Sequence, residues 1–315
     1  MRSGRISARV PPKASNDRID AQGSERDAGS KRPGLYLVAT PIGNARDISL
    51  RALDILRSAD LIACEDTRIT SKLLAIHGIA GISLCAYHDH NAAQMRPVLL
   101  AALAQGKRVA LVSDAGMPLI ADPGYRLARA AREAGHYVTS APGASAALAA
   151  LALSGLPTDR FFFAGFLPER AGQRRSAIRA IAAVPGTLIC YEAPQRLQAC
   201  LADLAAMLGP RPACVARELT KLFEELRHGD LAQLAAHYER DGAPKGEIVI
   251  VIGPPQADQQ HDTAAQEAAL DAALAAALGR SPFKQAVADV AASTGLPRRQ
   301  VYARALRLKD GGKRP

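Results

Sequence analysis

Several polar segments of the sequence carry side chains that could accept a proton. In chain order, these side chains are Glu65, Asp66, His88, Asp114 and Glu192. Carboxylates and imidazoles are the side chains that most often serve as general bases in enzymes. Glu65 and Asp66 could instead form a structural ion pair with Arg68, and Asp114 could bind a ligand. The sequence therefore supplies candidates for proton transfer without assigning the base.

Most of these segments directly follow short apolar runs that are typical of buried strands. In the first half of the chain, the predicted strands cover residues 35–39, 60–64, 82–86, 108–112 and 137–140. The segments that follow them read TPIGN, EDTR, HDHN, SDAGMP and PGAS. Helical patterns alternate with the strands, including a helix that Ser49 can cap and another over 125–134. Because ligands bind beyond the carboxyl ends of the strands in such sheets, we predict a site where these segments meet.

A second α/β unit is predicted after Pro157. Its strand-like runs cover residues 160–164, 187–191, 213–217 and 247–252, and a helix over 195–208 ends at a Gly-Pro pair. After a polar linker, an alanine-rich helical region contains two short helices around Thr294 that resemble a helix-turn-helix. We therefore predict a disordered basic leader over 1–33, α/β domains over 34–154 and 155–254, and a helical basic tail over 262–310.

The composition narrows the possible functions. The chain has 315 residues, of which 48% are hydrophobic, so it can bury a sizeable core; its net charge of +10 favours a polyanionic partner. No GxxxxGK[ST] or GxGxxG motif is present, which argues against nucleoside triphosphate hydrolysis and dinucleotide oxidoreduction. The histidines and cysteines lack metal-ligand spacing, and no apolar run approaches membrane-spanning length. We expect a cytoplasmic α/β enzyme that binds a small ligand and has no metal.

Seven motifs occur together in an order that resembles a known family. They are TPIGN at 40–44, EDTR at 65–68, HDHN at 88–91, SDAGMPLIADPG at 113–124, GFLP at 165–168, YE at 191–192 and ARELTK at 216–221. Together they look like the ribosomal RNA branch of the tetrapyrrole methylase superfamily, over about residues 35–252. The resemblance implies two α/β domains with S-adenosylmethionine in the cleft between them, and a homodimer. Met117 departs from the pattern, since the family usually has Thr there.

The resemblance also implies roles for individual residues. The cofactor-binding residues would be Pro41, Gly43, Ser113, Asp114, Gly116, Pro118, Leu119, Ser145, Ala146, Tyr191 and Ala216. Ser145 and Ala146 would lie near the methionine carboxylate, because the free N–H groups of a helix N-terminus favour an anion. The catalytic candidates are Asp114, Glu65 and His88. The residues expected to contact RNA are Arg68, Arg298, Arg299 and Arg304.

The activity implied by the resemblance is methylation of a cytidine 2′-hydroxyl in 16S ribosomal RNA, either as free RNA or in the assembled 30S subunit. A base would assist, because a ribose hydroxyl is a poor nucleophile until its proton is accepted. One alternative is a methyltransferase that acts on a tetrapyrrole or another small molecule, which EDTR, HDHN and ARELTK disfavour. The other is a non-catalytic RNA-binding or ribosome-assembly protein, which the complete SDAGMP segment disfavours.

Overall fold

The computed structural model describes residues 32–255 and 257–311, so the predicted leader lies almost entirely outside the described residues. The chain divides into two compact units. The first combines the chain up to Thr40 with Ile48–Gly143, and the second combines Pro41–Asp47 with Ala144–Pro315. Residues 41–47 therefore belong to the second unit, although the first unit flanks them in sequence. Within the described ranges, no helix has the length and apolar character that a membrane span requires.

The first unit is built on a parallel sheet of five strands. They are β1 (Gly34–Val38), β2 (Leu61–Cys64), β3 (Leu84–Ala86), β4 (Arg108–Val112) and β5 (Val138–Ala141). Their order is β3-β2-β4-β1-β5, and every neighbouring pair is parallel. The carboxyl ends of all five strands consequently lie at one edge. The prediction that these polar segments begin at one edge of a sheet is confirmed, although TPIGN and PGAS lie partly in the second unit.

Four helices cover the two faces of this sheet. They are α1 (Leu50–Ser58), α2 (Thr67–Ile76), α3 (Ala92–Ala104) and α4 (Tyr125–Glu133). Ser49 caps α1 as predicted, since its hydroxyl accepts a hydrogen bond from the Ala52 N–H at 3.1 Å. One apolar core forms between α1, α2 and one sheet face, and a second forms between α3, α4 and the other face. Burial on both faces explains why these strands are almost continuous apolar runs.

The second unit contains a mixed sheet. Its strands are β6 (Phe161–Phe166), β7 (Thr187–Glu192), β8 (Pro212–Arg217), β9 (Glu225–Asp230) and β10 (Ile248–Ile252), in the order β6-β7-β10-β8-β9. Only β6 and β7 pair in parallel, and the other neighbours are antiparallel. The helices are α5 (Ala146–Leu153), α6 (Ala171–Ile181), α7 (Leu197–Leu208) and α8 (Leu231–Asp241).

The predicted domain boundary after residue 154 puts helix α5 in the first domain, whereas the structure puts it in the second unit. Its buried residues Ala147, Ala150 and Leu151 pack in one cluster with Ile189 of β7 and Val249 of β10. The helix therefore belongs to the second unit. The alanine-rich sequence of α5 is compatible with packing on either sheet, so only the tertiary contacts show to which unit the helix belongs.

The C-terminal region is helical, as predicted. It comprises α9 (Ala257–Leu278), α10 (Phe283–Thr294) and α11 (Arg298–Gly311), and Gly295 ends α10 in the left-handed conformation with φ of 67°. Leu274, Val287 and Val301 belong to a small apolar cluster that the three helices share. Helix α9 begins at Ala257, so most of the predicted polar linker before residue 262 is helix instead.

Candidate active site

The loop after β4 is fastened to the end of β1 by buried hydrogen bonds. Thr40 and Gly116 exchange two backbone hydrogen bonds of 2.9 and 3.1 Å. The Thr40 hydroxyl donates to the Ser113 carbonyl at 3.0 Å, and the Ser113 hydroxyl donates to the Gly116 carbonyl at 3.0 Å. Gly116 has φ of 83°, a conformation that glycine adopts at no steric cost. The predicted cofactor residues Ser113 and Gly116 therefore lie on a firmly held backbone.

Asp114 connects the β4 loop to the end of β2. Its Oδ1 atom accepts a hydrogen bond from the Asp66 N–H at 3.0 Å. Asp66 itself caps α2 and accepts hydrogen bonds from the Arg68 N–H at 2.8 Å and from Arg68 Nε at 3.0 Å. The Arg68 side chain lowers the pKa of Asp66 to about 2. Asp66 is thus a structural ion-pair partner and a weak base, while the predicted RNA contact Arg68 keeps a largely exposed side chain.

Asp122, at the far end of the same loop, is a functional candidate that sequence reasoning missed. Two non-glycine residues before it, Leu119 and Ala121, have φ of 74° and 63° and turn the backbone sharply. Burial raises the pKa of Asp122 to about 6; the charge of Glu65 adds to the effect and a hydrogen bond with Ser113 opposes it. The only signal in the sequence was a second Asp in the segment SDAGMPLIADPG.

The predicted catalytic candidates Glu65, Asp114 and His88 all lie in loops at the carboxyl edge of the first sheet. Burial raises the pKa of Glu65, and the charges of Asp114 and Asp89 add to this. Burial also raises the pKa of Asp114, although the hydrogen bond from the Asp66 N–H opposes the shift. His88 has a buried Nδ1 atom that makes no hydrogen bond with any described residue. This edge therefore holds several carboxylates that protonate more readily than ordinary ones.

Glu192 makes structural contacts within the second unit, and its role as a candidate base stays a prediction. The side chain is fully buried and accepts a hydrogen bond from the Ala193 N–H at 2.8 Å. Arg196 donates to its other carboxylate oxygen at 3.3 Å. Both oxygens are occupied by protein donors, and a carboxylate in this position stabilises the turn after β7.

The segment Pro41–Asp47 lies against the loop between β8 and β9. The Asn44 N–H donates to the Thr220 hydroxyl at 3.0 Å. A Cβ atom on Gly43 would lie 2.5 Å from Lys221 Cγ and 2.9 Å from the Leu219 carbonyl oxygen. Glycine is therefore required at position 43, because the backbone at Leu219 comes too close to leave room for a side chain. The predicted cofactor residues Pro41 and Gly43 are thus part of the second unit.

Replacement of Gly43 by alanine is expected to displace the loop around Leu219, because the carbonyl oxygen there cannot rotate away. Overpacking of this kind typically costs about 1–3 kcal/mol of folding free energy. Thermal unfolding and calorimetric titration with the cofactor would measure the loss of stability and of affinity. Gly172→Ala is the matched control, since a Cβ atom there meets nothing within 4 Å. Equal behaviour of the two variants would contradict the prediction.

Three other predicted cofactor residues of the second unit share one apolar cluster. Ala146, Tyr191 and Ala216 pack in it together with Ile42, which stands between Pro41 and Gly43 in sequence. Ser145 caps α5 by accepting from the Leu148 N–H at 3.5 Å, and the first N–H groups of the helix have no partner within the helix. The second unit thus brings three of its predicted cofactor residues, Ala146, Tyr191 and Ala216, into one cluster.

The remaining predicted residues lie in the β4 loop and in the tail. Pro118 is buried, and Leu119 packs against the core of the first unit. Arg298 and Arg299 open α11 and are exposed. Arg304 is instead engaged, since its Nε and Nη2 atoms donate to the two carboxylate oxygens of Asp271 at 2.7 and 2.8 Å. Arg304 is therefore less available to RNA than predicted.

Comparison with known proteins agrees with these features. Residues 34–235 match the family model of Tetrapyrrole (Corrin/Porphyrin) Methylases, and residues 264–309 match the RsmI C-terminal HTH domain. A protein of Erythrobacter litoralis named ribosomal RNA small subunit methyltransferase I is 53% identical, over 88% of this chain and 96% of its own length. The protein of the same name from Mesorhizobium japonicum is 49% identical, over 91% of this chain and 96% of its own length.

A solved structure shares the fold. The uroporphyrin-III C-methyltransferase of Thermus thermophilus, complexed with S-adenosylhomocysteine, has a TM-score of 0.50 and 22% identity. The match covers 70% of this chain and 97% of that structure. At this sequence identity, the similarity to the solved structure shows only a shared fold. Membership of a family follows instead from the family models and from the relatives that are about 50% identical. The chain therefore belongs to the tetrapyrrole methylases and, within them, to the family of ribosomal RNA small subunit methyltransferase I.

Proposed function

We propose that this methyltransferase uses S-adenosylmethionine to methylate a cytidine 2′-hydroxyl in the 16S RNA of the small ribosomal subunit. The observation that carries the proposal is the group of carboxylates with raised pKa beside the β4 loop, in a chain of this family. A hydroxyl acceptor needs a base, and these carboxylates can supply one. Action on ribosomal RNA would place the enzyme in the cytoplasm.

The residues of both units fit the chemistry of S-adenosylmethionine. The cofactor presents ribose hydroxyls, which suit the partly buried carboxylate of Asp114. It also presents a methionine carboxylate, which suits the N–H groups at the start of α5. Its adenine suits the apolar cluster around Tyr191 and Ala216. When bound, the cofactor supplies an activated methyl group; its predicted placement in a cleft stays a prediction.

The protein's own chemical task is to accept the proton of the ribose hydroxyl. A general base is most effective when its pKa lies near the working pH, and Asp122 has a pKa of about 6. Glu65, whose charge acts on Asp122, has a raised pKa as well. Asp114 has one oxygen engaged by the Asp66 N–H, which favours a binding role. We therefore favour Asp122 and Glu65 as proton acceptors over Asp114 and His88.

We assign RNA contact in the tail to Arg298 and Arg299. Replacing both by alanine is expected to weaken RNA binding and to reduce the magnitude of the slope of log affinity against log salt by about 1.4–1.8, since each phosphate contact contributes about 0.7–0.9. Filter binding of small-subunit RNA over a series of salt concentrations would measure this. Arg304→Ala is the matched control, because Asp271 already holds that guanidinium. An equal slope for the double variant and the unmodified enzyme would refute the assignment.

The decisive experiment is methyl transfer from labelled S-adenosylmethionine to undermethylated small ribosomal subunits, followed by nucleoside analysis. We expect label in 2′-O-methylcytidine. A parallel reaction with free 16S RNA distinguishes the two forms of the substrate. Label in a porphyrinoid, with none in RNA, would support the small-molecule alternative. Sedimentation equilibrium of the same preparation tests the predicted homodimer.

A further inference from the structure

Two large apolar side chains stand exposed at the turn between β8 and β9. Leu222 is 90% exposed and Phe223 is 67% exposed. We call this pair the LF tip. Phe223 is more exposed than Phe161, Phe162 and Phe166, the other exposed phenylalanines of this unit. Two adjacent large side chains form a contiguous apolar patch, and patches of a few hundred Å² often mark a contact site.

The turn that carries the LF tip is tightly braced. Lys221 donates to Glu218 at 2.8 Å and to Glu247 at 3.0 Å, and the Thr220 N–H donates to Glu224 at 2.6 Å. The hydrogen bond from Lys221 lowers the pKa of Glu218, so the ion pair persists at neutral pH. The tip is thus presented on a fixed loop, and the cation beside it is already engaged by carboxylates.

The LF tip lies close to the proposed cofactor residues of the second unit. Thr220, at the base of the same turn, accepts the hydrogen bond from Asn44, one residue after Gly43. Ala216 is the second-last residue of β8, so only Arg217 separates it from the turn. The reacting ribose must come close to the cofactor, so nucleotides next to it in the RNA would pass near this turn.

A second copy of the chain is a poor fit for the LF tip. A leucine and a phenylalanine together would bury on the order of 300–400 Å², less than half of the roughly 800 Å² per partner in a stable interface. The other exposed phenylalanines of this unit, Phe161, Phe162 and Phe166, belong to β6, at the opposite edge of the sheet from β9. The tip is therefore not part of a larger apolar surface along that strand.

We propose that Phe223, supported by Leu222, is a stacking platform for an unpaired base of the RNA substrate adjacent to the nucleotide that is methylated. This inference rests on the proposed RNA substrate. Unpaired bases are commonly recognised by stacking on aromatic side chains, and the contact needs no cation. A single platform of this kind agrees with a chain that has few aromatic residues.

The first test is kinetic, with undermethylated small ribosomal subunits as substrate. We expect Phe223→Ala to lower kcat/KM for the subunits about 5- to 150-fold, the range for loss of one stacked base. Phe223→Tyr should retain activity because it keeps the aromatic face, whereas Phe223→Leu should behave like Phe223→Ala. Affinity for S-adenosylmethionine should not change. Full activity of Phe223→Leu or Phe223→Ala would overturn the proposal. A change in the molar mass of either variant in sedimentation would also overturn it, because the LF tip would then be a contact between copies of the chain.

The second test detects contact between the LF tip and RNA without any methyl transfer. Its result is therefore independent of the proposed activity. The chain contains no tryptophan, and Phe223→Trp would therefore provide a single fluorophore at the tip. Titration with protein-free 16S RNA should quench its fluorescence, while Phe161→Trp, on β6, should stay unchanged. Quenching of neither variant, or of both equally, would overturn the stacking contact even if the enzyme methylates RNA.

Discussion

Replacement of Asp114 by alanine is expected to weaken binding of S-adenosylmethionine about 10- to 140-fold for each hydrogen bond that its carboxylate makes to the cofactor. Hydrogen bonds to a charged group are worth about 1.5–3 kcal/mol each, and a tenfold change in affinity corresponds to about 1.4 kcal/mol. The substitution also removes the acceptor of the Asp66 N–H, which joins the loops after β2 and β4. Isothermal titration calorimetry with S-adenosylmethionine would measure the loss.

Asp114→Asn separates the two effects. The amide oxygen can still accept the hydrogen bond from the Asp66 N–H, so the loop connection survives, but the charge is lost. If the carboxylate binds the cofactor directly, this variant should melt like the unmodified enzyme and still bind poorly. Unmodified affinity in Asp114→Ala would remove Asp114 from the cofactor site altogether.

Asp122→Asn is expected to make the enzyme more stable and much less active. The folded-state pKa of Asp122, about 6, lies above its ordinary value of 3.8, so the folded protein holds this proton more tightly than the unfolded chain. The contribution of Asp122 to stability is therefore greatest below pH 4 and falls as pH rises through 6. At pH 7 the variant should gain on the order of 1–3 kcal/mol, since one pKa unit corresponds to about 1.4 kcal/mol.

The loss of activity should be about 10²- to 10⁴-fold if Asp122 accepts the proton of the hydroxyl. In the unmodified enzyme, kcat should fall as the pH drops below about 6, because the base becomes protonated. Glu65→Gln is the informative companion variant, since the charge of Glu65 raises the pKa of Asp122. If Asp122 is the proton acceptor, Glu65→Gln should remain active and shift this limb of the pH profile to lower pH; if Glu65 is the acceptor, the variant should lose activity at every pH. Unchanged kcat in Asp122→Asn would exclude that residue as the base.

Much of the fold could be predicted because the sequence marks its strands clearly. Strands β1 to β5 are short apolar runs ended by polar or Gly/Pro segments, and the predicted bounds agree with the structure within two residues. Strand β9, by contrast, reads ELRHGD and was not predicted. It is an edge strand that pairs only with β8, so it lacks the apolar pattern of a buried strand. Helix α3 was missed as well, and it contains Pro97.

The site could be predicted in part. The resemblance to a family supplied its motifs, and the parallel sheet brought the loops of the first unit to one edge. The state of each carboxylate could not be inferred, because it depends on neighbours that are distant in sequence. Asp66 has Arg68 on its own helix and is held ionised, whereas Asp122 is half-buried and feels the charge of Glu65, which follows a different strand. Only the folded chain distinguishes these two carboxylates.

The early segment Pro41–Asp47 has a consequence for how the protein is made. The hydrogen bond between Asn44 and Thr220 joins residues 176 positions apart. At a synthesis rate of about 5–20 residues per second, Asn44 waits roughly 10–35 s for its partner to be added. All strands of the first sheet have been synthesised by residue 141. A nascent chain therefore completes the strands of the first sheet well before the loop that carries Thr220 exists, and Pro41–Asp47 must wait for that loop before it can make its contacts in the second unit.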